Sequence, residues 1–277
     1  MPGPTPLSSY AALLAAAAGD PFVEHEVGPD LLAPPLALGG AVLYRRMTQL
    51  GFTGAVCLGP APDVRALLRS EWRGHPGWAA ERSITVEATH RGLLEDLGVR
   101  GLGEWHTMSA LPGQLDLRPV PAGVMVERTL ARDVARAFVG EHHTARWITP
   151  DPEGEMWVAV RARGTGELLG TGLAAYTPSG ATRLTSIAIH RDRRCQGLGR
   201  LVTQALAEVG FERSPAVVLG VDQDNIVGRT LYAAMGFRLD HELVSGILPP
   251  AAPVSGRRVA STATGTTRES QRQRGLP

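Results

Sequence analysis

The residues with most chemistry to offer lie in the run Arg194-Cys195-Gln196-Gly197-Leu198-Gly199, between an apolar stretch, Leu184 to Ile189, and a stretch of helical spacing, Leu198 to Phe211. Glycine lets a backbone adopt positive φ and approach a ligand closely. The N–H groups of such a strand-to-helix turn converge at the helix start, where an anion is favoured by about 0.3–1 kcal/mol. A pyrophosphate suits this turn, and Arg193, Arg194 and Arg200 add charge at its rim. A tight turn that uses glycine for packing alone gives the same pattern, so this run by itself leaves both readings open.

A second segment, Asn225 to Phe237 (NIVGRTLYAAMGF), follows another strand and closes a helix with Gly236. Together with IHRDRRCQGLG over Ile189 to Gly199, it resembles the GNAT superfamily of N-acetyltransferases. In that family a V-x-P-x-x-Q/R-x-x-G-x-G/A run and a downstream N-x-x-A-x-x-L-Y-x-x-x-G-F run hold acetyl-CoA. Arg191 stands here where proline is common, and Gly228 where alanine is common. The resemblance covers roughly Val124 to Val244.

The resemblance implies a set of roles. The backbone of Ile187, Ala188 and Ile189 would pair with the pantetheine arm as an added strand. The amides of Arg194, Cys195, Gln196, Gly197, Leu198, Gly199 and Arg200 would hold the pyrophosphate. Asn225 would bind the cofactor near the pantetheine or the helix start, and Tyr232 would point at the sulfur as the candidate general acid. A phenol of reference pKa ~10 gives its proton to a thiolate of conjugate acid ~8.5 only with help from geometry and local field. The same tyrosine also reads as a core-facing residue of an amphipathic helix.

The implied function is an acetyl-CoA-dependent N-acetyltransferase, with acetyl-CoA as cosubstrate and a small-molecule or peptide amine as acceptor. The alternative is a non-catalytic acyl-CoA-binding sensor or interaction module, supported by one absence. Where many family members carry a glutamate on the strand before the loop, this strand offers Thr185 and Ser186. His142, His143 and Glu155 are the remaining candidate bases, each also readable as a surface residue. Glu141, His142, His143 and Trp147 border the expected acceptor cleft. Cys195 is no nucleophile in this reading, because the family transfers the acetyl group directly and the loop faces phosphate.

The elements that must position these residues follow from periodicity. Strands are expected at Val124–Arg128, Met156–Ala162, Leu168–Tyr176, Leu184–Ile189, Ala216–Val221 and Phe237–Val244. Helices are expected at Leu130–His142, capped by Thr129, and at Leu198–Phe211 and Val227–Met235. Before them, Ala41–Tyr44 and Ala55–Leu58 read as strands, and Pro62–Glu71 and His90–Gly98 as helices. Ser8 or Ser9 caps a first short helix. The fold class is α/β (α+β), a GNAT fold with a mixed central sheet flanked by helices.

Three regions are expected: residues 1–119, 120–248 and a disordered tail over 249–277, where large apolar residues nearly vanish. Gly51–Leu68 and Ser83–Val99 follow the same element order as the two downstream segments, without their glycine and tyrosine signatures. Residues 1–119 therefore read either as a degenerate GNAT-like copy or as an unrelated α/β extension. The formal net charge of +1 on 277 residues offers no basic field for nucleic acid. Its two cysteines fit no metal-ligand spacing and no disulfide framework, which points to a reducing cytoplasm. No apolar run is long enough to span a bilayer, so no membrane partner is expected. Both a monomer and a homodimer are compatible with the sequence.

Overall fold

A computed structural model describes residues 3–48, 51–143 and 156–250. The first half forms strands β1 (Thr5–Pro6), β2 (Leu36–Leu38), β3 (Ala41–Met47), β4 (Thr53–Leu58), β5 (Ser83–Glu87) and β6 (Arg100–Ala110). Helices α1 (Tyr10–Ala16) and α2 (Pro21–Glu26) lie between β1 and β2, α3 (Ala61–Arg69) between β4 and β5, and α4 (Arg91–Asp96) between β5 and β6. The second half forms β7 (Val124–Glu127), β8 (Met156–Ala162), β9 (Leu168–Tyr176), β10 (Thr182–Ile189), β11 (Val217–Asp222) and β12 (Arg238–Ile247). Here α5 (Arg132–His142) lies between β7 and β8, α6 (Leu198–Phe211) between β10 and β11, and α7 (Ile226–Met235) between β11 and β12.

Several element ends have visible local causes. Ser9 caps α1 by accepting from the Ala12 N–H, and Asp20 caps α2 by accepting from Phe22 and Val23. Gly236, at φ 100°, ends α7 in the left-handed conformation that glycine tolerates. In α6 the buried Leu198, Leu201, Val202, Ala205, Leu206 and Val209 recur at helical spacing and form the stripe that packs on the sheet. Thr129 does not cap α5. That helix starts at Arg132 after Ala131, with no side-chain cap, because β7 stays paired to β8 through Glu127 and residues 128–131 are needed to cross from strand to helix.

The twelve strands form one open mixed sheet in the order β1, β2, β3, β4, β5, β12, β6, β11, β10, β9, β8, β7. That order is symmetric about its centre, with each strand of the first half matched by the strand six places later. The orientations match too: β4 with β5 and β10 with β11 are parallel, and every other neighbouring pair is antiparallel. Each half lends its last strand to the other. β12 pairs with β5, β6 pairs with β11, and the two meet at the centre, where Leu243 faces Trp105. The sheet thus runs unbroken across the sequence boundary at 119/120.

Strand alternation sends side chains to two faces. One carries α6 and α7 over Val158, Val160 and Met108, and α3 and α4 over Leu43, Cys57 and Val244. The opposite face carries α1 and α2 over Val42, Tyr44 and Leu243, and α5 over Trp157 and Leu173. Among the described residues, no helix is long and apolar enough to cross a membrane.

Candidate active site

The site begins where two parallel strands stop pairing. β10 and β11 are in register only at Thr182↔Val217 and Arg183↔Val218. Beyond that point β11 stays with β6 as far as Asp222↔Trp105, while β10 stays with β9 as far as Ile189↔Gly170. The β10–β9 register slips between Thr185 and Ala188, as a bulge with one extra residue on β10 requires. The β11-side backbone groups of residues 186–189 are thereby left without a strand partner, and buried backbone groups need one. Ile187, Ala188 and Ile189 lie on this free stretch. Ile187 and Ile189 pack against the α6 core and Ala188 against α5, so their backbone is what the opening presents.

The loop that follows leads into an uncapped helix. Cys195 and Gly197 both have positive φ, at 61° and 77°. No side chain caps α6, and its first turn holds no acidic residue. Among the described residues, the N–H groups of Gln196, Gly197, Leu198 and Gly199 have no hydrogen-bond partner, which leaves four donors at the positive end of a fourteen-residue helix. Gly197 is required by its backbone conformation, since a Cβ there would meet only open space. At Gly199 a Cβ would stand 3.3 Å from Leu231 Cδ2 on α7, a tight contact to which that side chain would have to yield.

The three arginines at the rim differ. Arg193 pairs with Glu167 at 3.1 Å and remains exposed. Arg194 donates to the His142 carbonyl at 2.6 Å and so ties the loop to the end of α5. Arg200 does not contribute a free charge or a free amide. Its guanidinium, only 11% exposed, donates to the Asp116 carbonyl at 2.7 Å and the Ala234 carbonyl at 2.9 Å, and its N–H is already bonded to the Gly197 carbonyl.

Tyr232 lies on α7, is 9% exposed, and packs edge-on to Phe237 with ring centroids 5.9 Å apart. Burial pushes its phenol up to about 12. Asn225 is the N-cap of α7, its Oδ1 accepting from the Gly228 N–H at 2.9 Å, which leaves its Nδ2 as the free donor. The cap also accounts for Gly228, since a Cβ there would stand 2.8 Å from Asn225 Nδ2.

His142 departs from the surface reading. It is 5% exposed, packed against Phe138 and His190 at centroid distances of 4.3 and 4.4 Å, and its Nδ1 has no partner. Burial is the largest influence on it and lowers its pKa, with His190, Arg191 and Arg194 adding to the effect against Glu141. It sits beside the glycine-bearing loop, its carbonyl accepting from Arg194. Glu141 is exposed and His143 is partly buried, while Trp147 and Glu155 lie outside the described residues.

Sequence reasoning missed what lies under the opening. α2 crosses the face opposite α6: its Glu26 carboxylate holds Arg46 of β3 at 3.1 Å and also Arg183 of β10, all three being buried. Phe22, one turn earlier, meets Trp105 of β6 edge-on. The alternation of Trp105 and Thr107 with His106 and Met108 signals strand β6, but nothing local says that it lies next to β11. Among the described residues, no group of His, Cys, Asp and Glu is arranged to hold a metal ion.

Comparison with known proteins agrees with this geometry. Residues 128–237 match the model of the acetyltransferase (GNAT) family. The fold is similar to that of a GCN5-related N-acetyltransferase from Kribbella flavida, 18% identical with a TM-score of 0.52, over 86% of this chain and 95% of that one. It is also similar to a GCN5-related N-acetyltransferase from Sphaerobacter thermophilus, 19% identical with a TM-score of 0.52, over 77% of this chain and 78% of that one. No curated protein sequence matches the chain.

Proposed function

Starting from the GNAT-family domain that residues 128–237 form, we propose that the protein is an N-acetyltransferase that transfers an acetyl group from acetyl-CoA directly to a primary amine. The observation that carries this reading is the parting of β10 from β11 after Arg183, directly before an uncapped α6. An extended amide-bearing arm fits the free backbone of 187–189 as an added strand, and a pyrophosphate fits the unpaired amides of 196–199. Acetyl-CoA supplies the thioester. Arg194 fixes the loop to α5, and Arg193 and Arg191 supply positive charge at its rim.

The proton balance limits what Tyr232 does. Acylation of an amine releases one proton from nitrogen, and the departing sulfur takes one up. A phenol held near 12 cannot lose its proton outright to a thiolate of conjugate acid ~8.5 except uphill by roughly 5 kcal/mol. Tyr232 therefore acts by donating a hydrogen bond to the sulfur as charge builds there, with the proton from nitrogen replacing any it gives up. Replacing Tyr232 with Phe is expected to lower turnover 10²- to 10⁴-fold while calorimetric acetyl-CoA affinity is kept. Release of CoA thiol across a panel of amines is the assay. Tight acetyl-CoA binding with no transfer to any amine would favour the sensor reading instead.

The repeated strand order supports reading residues 1–119 as a degenerate copy of the same fold. That copy binds no cofactor, so titration is expected to give one acetyl-CoA per chain. Two per chain would sink this reading of the first half.

A further inference from the structure

Ser186 sits in the bulge that opens the sheet, at φ 52°, one of three non-glycine residues with positive φ among the described residues. It is 6% exposed, and its Oγ is buried with no hydrogen-bond partner. A hydroxyl carries one donor and two acceptor lone pairs, and leaving it unmade inside a protein is costly enough to need a reason. Among the described residues, the other buried side-chain polar atoms without a partner are on Tyr44, Thr48 and Arg73 of the first half and on His142 at the end of α5. Ser186 alone among them belongs to a strand that borders the opening. It follows the last β10–β11 pair by three residues and precedes the free backbone of 187–189. Thr185, its neighbour, already has an interaction partner.

The reaction proposed above requires one more donor. When an amine attacks a thioester, the carbonyl oxygen takes on negative charge before the C–S bond breaks, and a donor fixed beside it lowers the barrier. We propose that the Ser186 hydroxyl donates a hydrogen bond to the thioester carbonyl oxygen and holds it as the charge develops. This rests on the acetyltransferase reading. The N–C bond forms and the C–S bond breaks, the nitrogen proton passes to the departing sulfur, and Ser186 keeps its own proton throughout. The bulge then has a purpose beyond ending the pairing, because it leaves a buried hydroxyl on the strand that borders the opening with no partner to compete for it.

The test is infrared spectroscopy of acetyl-CoA labelled with ¹³C at the thioester carbonyl, bound to the full-length protein and to Ser186→Gly and Ser186→Ala. Glycine accepts positive φ without strain, so Ser186→Gly removes the hydroxyl while keeping the bulge, and Ser186→Ala checks the result with a Cβ in place. The wild-type carbonyl stretch is expected at lower frequency than in both variants, with kcat toward a responsive amine falling about 10²- to 10³-fold and KM for acetyl-CoA unchanged. A carbonyl band and a kcat that are the same in wild type and Ser186→Gly would overturn the role of Ser186 and leave the acetyltransferase reading standing. Failure of the wild-type protein to bind acetyl-CoA would overturn both.

Discussion

Two strand-to-helix turns, those after β4 and after β10, occupy matching places in the sheet and are built oppositely. After β4 the chain enters α3 through Pro60 and Pro62, two residues that lack an N–H, and Asp63 fills the first turn with a carboxylate that accepts from the Gly40 N–H at 2.8 Å. Gly59 is packed so closely on Gly40 and Ala41 that a Cβ would stand 2.5 Å from a carbonyl oxygen. After β10 the chain enters α6 with no proline, no carboxylate in the first helical turn and four unpaired amides. The strands differ in the same sense. β4 and β5 stay in register from Ala55↔Ile84 to Cys57↔Val86 with no bulge, whereas β10 leaves β11 after two pairs. The turn in the first half is thus closed by its own side chains, while the matching turn in the second half keeps its amides unpaired.

The strongest challenge to this comparison is to ask whether the halves are separable. Glu26 belongs to the first half and holds Arg46 of that half and Arg183 of the second. Glu26→Ala leaves two guanidinium groups buried without their carboxylate, which is expected to cost about 3–5 kcal/mol and to lower one cooperative thermal transition. Two separate transitions in calorimetry, with only one of them moved, would show that the halves fold independently.

His241 is the second link between halves. Burial alone lowers its pKa, but Asp20 at 2.7 Å and Glu87 at 3.4 Å outweigh burial and raise it to about 9. A folded-state pKa above the unfolded value of ~6.5 means that its contribution is complete below about pH 6.5 and is lost as pH rises through 9. Wild type is expected to lose about 1–3 kcal/mol more than His241→Gln between pH 6 and 10. Parallel pH profiles in chemical denaturation would show that the bridge contributes nothing.

The smallest effects bear on the turns themselves. Gly197→Ala imposes a strained left-handed alanine at a cost of about 1–3 kcal/mol, and acetyl-CoA affinity is expected to fall about tenfold or more by calorimetry. Asp63→Ala, in the matching turn, is expected to cost about 1 kcal/mol and leave acetyl-CoA affinity and stoichiometry unchanged. A second binding event in Asp63→Ala would mean that the carboxylate alone closes the turn of the first half.

Much of this was legible locally. The apolar stripe of α6 and its start at Leu198, the hairpin of β8 and β9, and the turn glycines are short-range consequences of periodicity and backbone freedom. Arg200 shows the limit. Its type and position suggested a rim charge, yet two carbonyls from segments 34 and 84 residues away claim its guanidinium. His142 shows it again, since an exposed helix end in sequence becomes a buried imidazole once His190 and Phe138 close over it.

The sequence by itself determined most of the elements after Val124, the glycine-bearing turn and the order of the two segments that resemble the family's motifs, because each depends on residues within one or two turns of one another. Only the tertiary structure decided where β10 and β11 part, that each half lends its last strand to the other, that α2 lies beneath the opening, and that Ser186 has a hydroxyl with nothing to bond. These depend on strand neighbours that lie far apart in sequence, as β11 and β6 or β12 and β5 do, and no local pattern encodes which strand lies beside which.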